Sequence, residues 1–527
     1  VSPVHVDLTS EEEYRLDLHR LLIVISVMLA VVLEIIDTSI VNVALPSMMG
    51  NLGASLDQAD WIITGYIVSN VIVIPMTGWL AMRFGRKRSF VTSILLFTLA
   101  SLLCGLSGSI NELVFWRIVQ GVGGGALLAT SQTILIESFP PSKQGVGQAI
   151  FGVGAMIGPS LGPTLGGWLT DQFSWHWIFL INVPIGLVAA ALCATQLEDP
   201  AHLERRRDAP VDWPGMALLA IGIGSLQTLL ERGNREDWFA SPMIQMLALT
   251  AVVGIAALIY RELTADDPVI DLRVLRRRSL AIGCTLGSLM GMGLYGSVFL
   301  FPVYSQSLLR WSAWESGLAI LPSSLATAVL MIFVGRLVWR IGPRIPFVAG
   351  MVVMFVALYH MSHWTLASGW DEIIGPQILR GIAMGSMFVP LSTATLRSLP
   401  GSEVAKGAGL YNLFRQLGGS MGIAILTTLL DHRTDVHRVG LAGQVGSLNP
   451  VAAQTLSSIS HAMTLRGADA LTAQHTATAL LGRLVDAQAM AESFSDAYAI
   501  MAVLFIALLP LGLAIQRHAP GKYSTIE

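Results

Sequence analysis

Five ionisable side chains stand inside long apolar runs of this sequence: Glu34, Asp37, Arg117, Arg380 and Arg415. A charge held at the centre of hydrocarbon costs at least about 2.5–3.5 kcal/mol, so such residues persist where they bind, pair or move something. Glu34 and Asp37 are three residues apart and share one face of a helix. Low dielectric favours the neutral form of a carboxyl group, and a nearby cation favours the charged form. An arginine that approaches the acid in one conformation and withdraws in another therefore makes a proton switch. Asp37 is the principal candidate, Arg117 its expected partner, and Glu34 a secondary acid. The plainer alternative is a static buried ion pair that fixes helix contacts. With all five groups charged the sum is +1, a balance that could accept an anion.

Around these groups the sequence is rich in small residues. Arg117 and Gln120 share a helical face and open a run containing Gly121, Gly123, Gly124 and Gly125. These glycines lie in an apolar helix, so they read as close helix packing and not as a phosphate cradle. Glycine recurs every four residues at Gly154, Gly158 and Gly162, with Pro159 and Pro163 removing ladder bonds. That stripe reads as tight packing or as a bendable contact between two halves of the molecule. Tyr66, Asn70, Tyr295, Phe299, Gln377, Phe388, Tyr411, Asn412 and Gln416 are candidates to line an amphiphilic cavity with Gln120, Arg380 and Arg415. Each alone is equally explained by packing or by lipid contact. Cys104, Cys193 and Cys284 lie in apolar runs without metal-ligand spacing. No nucleotide loop, nucleophile–base pair or metal cluster is visible, so neither an enzyme nor an ATP-driven pump is expected, and no cofactor is implied.

The elements that must hold these residues are membrane spans. Only 13% of the 527 residues are charged, 53% are hydrophobic, and net charge is −3, with a mean hydropathy of +0.63. Soluble chains carry about 25% charged residues. Spans of about 20 apolar residues are expected near 21–45, 59–81, 90–108, 112–135, 146–169, 177–196, 213–230, 243–260, 281–304, 314–335, 345–364, 373–396, 404–429 and 494–515. The first run is too long for the core of a cleavable signal and reads as a retained span. With the N-terminus inside, cytoplasmic loops hold eighteen Lys and Arg, among them Arg205, Arg206 and Arg207, against three in short outer loops. That bias, with Arg15, Arg20, Arg517 and Lys522 in the tails, sets both termini in the cytoplasm.

The sequence also repeats. The frame G-x-L-x-x-R-x-G at 78–85 recurs at 335–342, Arg117 matches Arg380, and Pro46 matches Pro302. The offsets stay near 260 residues, which is the signature of two parallel halves with a path between them. The expected organisation is a segment 1–20, a six-helix bundle 21–196, a linker with two inserted helices 197–265, a second six-helix bundle 266–516, and a tail 517–527. Residues 430–493 form the one long polar stretch and read as an extramembrane loop, with helical character in 468–492 and potential as a docking surface. Ser10 and Glu13 have capping-box spacing before the first span.

These motifs resemble the major facilitator superfamily, in particular its fourteen-helix drug:proton antiporters. Residues 78–87 resemble its loop motif, 117–126 its span-four motif, 154–167 its span-five antiporter motif, and 36–46 its span-one motif. The stretches 226–233, 237–239 and 267–272 are similar to inner-membrane pump subunits of tripartite multidrug efflux systems. The resemblance covers nearly the whole chain. It implies an all-α polytopic fold of two six-helix bundles plus two inserted helices, fourteen in all. It further implies proton-coupled export of hydrophobic or amphipathic small molecules across a bacterial inner membrane. The implied partners are an EmrA-type periplasmic adaptor and a TolC-type outer-membrane channel. Conformational gating is implied for Gly78, Arg83, Gly85, Arg86, Gly154, Gly158, Pro159, Gly162 and Pro163. Two departures stand out: Met82 occupies a position usually acidic in the loop motif, and Glu34 is not a fixed part of the span-one motif. The competing reading is a non-transporting scaffold or receptor for an adaptor.

Overall fold

The computed structural model describes residues 18–140, 143–200, 211–445 and 449–515. The capping-box pair Ser10 and Glu13, the basic residues Arg15, Arg205, Arg206 and Arg207, and the tail with Arg517 and Lys522 lie outside the described residues, as do the side chains of Pro159 and Pro163. Among the described residues every regular element is helical. The first group is α1 (Leu18–Leu52), α2 (Leu56–Val73), α3 (Thr77–Phe84), α4 (Arg86–Gly105), α5 (Ile110–Glu137), α6 (Gln144–Gln172), α7 (Trp177–Leu180) and α8 (Asn182–Gln196). An inserted pair follows, α9 (Trp213–Arg232) and α10 (Pro242–Thr264). The last group is α11 (Arg278–Ser307), α12 (Ala313–Ile341), α13 (Arg344–Met361), α14 (Trp370–Leu396), α15 (Gly401–Gln444), α16 (Pro450–Leu465), α17 (Ala470–Ala507) and α18 (Leu509–Leu513).

Each of the fourteen expected spans coincides with a helix. Twelve helical stretches in the described residues are long and apolar enough to cross a membrane. The other two, α6 and α14, are 29 and 27 residues long. α6 packs on α1, α12 and α14, and α14 lies against α12 and α13. Boundaries follow local chemistry. Ser55 and Ser312 close capping boxes with Gln58 and Glu315 at the starts of α2 and α12. Gly85 and Gly342, equivalent in the repeat, both adopt positive φ, 89° and 77°, where the chain turns from one span into the next. A residue with a Cβ is strained in that conformation, which is why glycine closes both copies of the frame.

The described residues of the polar stretch 430–493 are mostly helical. Span thirteen continues without a break as the 44-residue α15, and α17 starts at Ala470, 24 residues before the expected last span. At 1.5 Å per residue α15 is about 66 Å long, roughly twice a bilayer's hydrocarbon core. Its extension is zipped to α17 by Arg433–Asp496 at 2.6 Å, His437–Asp496 at 2.7 Å and Arg438–Asp486 at 2.8 Å. Alanine, glutamine and leucine there are good helix formers, so low hydropathy marked exit from the membrane and not the end of the helix.

The elements of each half pack mainly on one another: α1, α2, α4, α5, α6 and α8 on one side, α11 to α15 and α17 on the other. The halves meet where α6 crosses α12 and where α2 and α3 run along α15. At the basic end the two copies of the glycine frame make reciprocal contacts. Gly78 abuts the backbone of Lys406 on α15, where an added Cβ would lie 3.1 Å from the Lys406 Cα. Gly335 abuts α6, where an added Cβ would lie 2.6 Å from the Gly145 carbonyl oxygen. Backbone cannot step aside as a side chain can, so Gly335→Val must part α6 from α12. We expect amide hydrogen exchange over 144–150 and 335–341 to rise by about tenfold or more. Unchanged exchange would mean that this crossing does not hold the halves together.

Candidate functional site

Asp37 sits in α1 because a run of apolar residues on both sides makes that helix a span, and it is fully buried. Its carboxylate is met by three donors from two helices, α5 and α8. Arg117 Nη1 of α5 donates to Oδ2 at 2.6 Å, and Oδ1 accepts from Gln120 Nε2 and Asn182 Nδ2, both at 2.8 Å. Arg117, 1% exposed, also donates from Nε to the Ile62 carbonyl at 3.1 Å and from Nη1 to Gln120 Oε1 at 2.8 Å. Its guanidinium lies over the Tyr66 ring, 4.1 Å from the centroid. The glycines that follow Arg117 let α5 approach closely: Gly123 packs on the backbone of α4 at Phe97, and Gly124 on Tyr66 and Asn70.

Glu34, one turn before Asp37, points elsewhere. Its Oε1 accepts from Asn70 Nδ2 at 3.2 Å and from the Tyr66 hydroxyl at 3.5 Å. No salt bridge reaches it among the described residues, but Arg415 of the second half acts on it electrostatically. Arg415 donates to the Tyr295 hydroxyl at 3.2 Å and to Asn412 Oδ1 at 3.0 Å, while its Nε is buried without a partner. Tyr295 passes the chain on to Gln416 Oε1 at 3.2 Å. Asn412 Nδ2 donates across the interface to Gln132 Oε1 of α5 at 2.6 Å, and Gln132 donates to Gln148 of α6 at 2.9 Å. A continuous polar thread thus crosses from half to half beside an Asp37–Arg117 pair confined to the first half.

Other expected residues fall outside this thread. Arg380 is buried in the second half between α11, α12 and α14, held by the Ser297 carbonyl at 3.1 Å and the Ser323 hydroxyl at 3.3 Å. Gln377, one turn away, is fully buried with both amide atoms unpartnered. Phe388 stacks on Phe151 with centroids 6.2 Å apart, in the core where α14 meets α6. Phe299 is partly buried against the same core, and Tyr411 is buried against Gly287 with its hydroxyl unpartnered. The glycine stripe of α6 does not meet the second half. Gly154, Gly158 and Gly162 pack on Met28, Ile35 and Ser39 of α1, and Ser39 Oγ donates to the Gly158 carbonyl at 2.9 Å. The face of α6 that meets the second half carries Gly145 and Gly152. Four-residue spacing reported a flat side correctly but could not say which neighbour it served.

In the loop motif, where Met82 replaces an acid, Arg86 pairs with Glu137 at the end of α5, and the Lys87 amide donates to Asp199 Oδ1 at 2.8 Å. Arg83 likewise has an interaction partner. Asn182, like Gln132 and Gln148, was missed by sequence reasoning. Its signal was an amide in an otherwise apolar span, which only the fold could place against Asp37.

Residues 27–423 match the Major Facilitator Superfamily. The chain is 38% identical over 438 residues to "Multidrug export protein EmrB" of Escherichia coli strain K12, covering 82% of this chain and 85% of that protein. It is 32% identical over 493 residues to "Fatty acid resistance protein FarB" of Neisseria gonorrhoeae, covering 93% and 94%. It is 28% identical over 488 residues to "Colistin resistance protein EmrB" of Acinetobacter baumannii, covering 92% and 94%. The fold is shared with the human organic anion transporter MFSD10, at a TM-score of 0.58 and 14% identity over 92% of this chain and 99% of that one. With two sets of repeated spans, an inserted helix pair and this match over most of its length, the chain belongs to the major facilitator superfamily.

Proposed function

We propose that this protein is a proton-coupled antiporter that exports hydrophobic or amphipathic small molecules. The observation that carries the reading is the Asp37 carboxylate, fully buried and held by a single cation and two amides from α5 and α8. The export direction rests on the similarity to EmrB and FarB, whose names describe export and resistance.

The residues suggest how such coupling works. With Asp37 charged, Arg117, Gln120 and Asn182 tie α1 to α5 and α8. A proton on Asp37 removes the counter-charge of Arg117, and a buried charge that loses its partner is unstable by several kcal/mol. Arg117 then has reason to move toward the Tyr66 ring and Glu34, and α1 to slide along the smooth glycine face of α6. On the other side of the thread, an anionic or polar substrate group competes with Glu34 for Arg415. Tyr66, Tyr295, Asn412 and Gln416 offer aromatic faces and hydrogen bonds around it. The eighteen-to-three distribution of basic residues supports cytoplasmic termini in a bacterial inner membrane. The projecting α15–α16–α17 segment is the natural seat for an EmrA-type adaptor leading to a TolC-type channel.

Asp37→Asn keeps the volume and an acceptor for Arg117 but cannot bind and release a proton. In liposomes with an imposed pH gradient we expect it to abolish proton-driven substrate exchange while substrate binding stays within about threefold. Unchanged antiport sinks the assignment. If the unmodified chain, reconstituted without partners, gives no substrate-driven proton flux, the protein is a scaffold and not a pump. Asp37→Ala leaves the buried Arg117 without a counter-charge and is expected to cost about 3–5 kcal/mol of stability. A thermal unfolding midpoint well below that of Asp37→Asn checks it.

A further inference from the structure

An acid outside the proton site just described also lies within a spanning helix. Glu231 stands in the last turn of α9, in the inserted pair, and α9 packs on α2 of the first half and α15 of the second. Its Oε1 accepts from Gln227 Nε2 at 2.8 Å and from the Ser420 hydroxyl of α15 at 3.3 Å. Gln227 Nε2 also donates to Ser420 Oγ at 2.7 Å. No salt bridge reaches Glu231 among the described residues. Gln227 is fully buried, and its Oε1 is an acceptor with no donor.

The segment just beyond Glu231 bridges both halves at the end away from the basic loops. Arg235 pairs with Asp60 of α2 at 2.8 Å, and Arg232 lies over Trp61, 5.1 Å from the ring centroid. Asn234 donates to Asp431 of α15 at 2.7 Å, and Trp238 Nε1 donates to Thr428 at 2.8 Å. The charged groups around Glu231 are therefore Arg232, Arg235, Glu236 and Asp237 from its own segment, Asp60 from α2 with Asp57 behind it, and Asp431 from α15. Arg232 is engaged by Glu236 at 3.0 Å. The adjoining end of α10 carries no charge.

We propose that Glu231 is a second proton-binding carboxylate and that its protonation loosens the last turn of α9 from α15. The proton adds to a carboxylate oxygen and supplies an O–H donor. The Gln227 carbonyl oxygen is the waiting acceptor. To take that bond the amide turns over, and Nε2 leaves Ser420. The charge-assisted bonds to the carboxylate are lost at the same moment, and such bonds are about twice as strong as neutral ones. Proton uptake thereby removes the Gln227–Ser420 bond from the ties between the inserted pair and the second half, and leaves Asn234–Asp431 and Trp238–Thr428 as the ones that remain. The inference rests on the proton-coupled reading but concerns a different acid and a different readout.

The test uses the full chain in lipid nanodiscs without substrate, with spin labels on Phe239→Cys and Val436→Cys. Both positions are exposed, and the three native cysteines are buried. The distance between labels is expected to lengthen by several ångströms as pH falls from about 8 to about 5, a span that brackets titration of a buried carboxyl. Glu231→Gln is expected to hold the long distance at every pH, and Glu231→Asp to restore the response. Gln227→Leu keeps the acid but deletes the switching amide, and its distance is expected not to respond. A pH response that survives in Glu231→Gln, or none in the parent, overturns the proposal. Asp37→Asn is expected to retain the response even without transport, so failure of the first site and of this one are told apart.

Discussion

A carboxylate can remain charged in the middle of an apolar bundle only if everything around it is arranged to receive it, and Asp37 sets that requirement for the first half. Its two oxygens take three donors from α5 and α8. Those donors fix the rotation of both helices about their axes. Once Arg117 faces Asp37, Gly123 must face α4 and Gly124 must face Tyr66 and Asn70, because they follow on the same helix. The glycines are thus a consequence of the ion pair as much as an aid to packing. Without them, α5 could not come close enough to deliver the guanidinium.

The same economy explains what the sequence revealed and what it withheld. Spans, repeat and buried charges are one-dimensional signals, carried by hydropathy and spacing, and all fourteen expected spans lie on helices. The pairing of Asp37 with Arg117 was readable because two opposite charges in hydrocarbon have few other places to go. Asn182 was not, since an amide in a span has many uses and only tertiary structure selects one. Hydropathy failed at α15 and α17 because it measures solvent and not conformation: the helices leave the membrane without ending. Glu231 was obscured by a boundary difference of two residues, since the span expected at 213–230 continues to Arg232.

The repeat also shows where the two halves differ. Pro46 and Pro302 set a register that places Gly293 opposite Asp37. Gly293 packs on the Phe505 ring, where even a Cβ would lie within 2.6 Å of a ring carbon, so no acid fits there. Arg380, the counterpart of Arg117, accordingly rests on the Ser297 carbonyl and the Ser323 hydroxyl. Arg380 therefore rests on neutral acceptors where Arg117 has a carboxylate.

That asymmetry bears on how a two-half machine is driven. If both halves carried the same switch, proton binding would push them alike and bias neither orientation of the path between them. If Asp37 is the acid that takes the proton, the first half changes while Arg380 in the second keeps its neutral acceptors. On the proposed mechanism Arg415 links the halves, since it belongs to the second yet acts electrostatically on Glu34 of the first. On this view the Asn412–Gln132 bond is the hinge of that communication. It crosses the interface between neutral amides, strong enough to set register and weak enough to break when Arg415 changes partner.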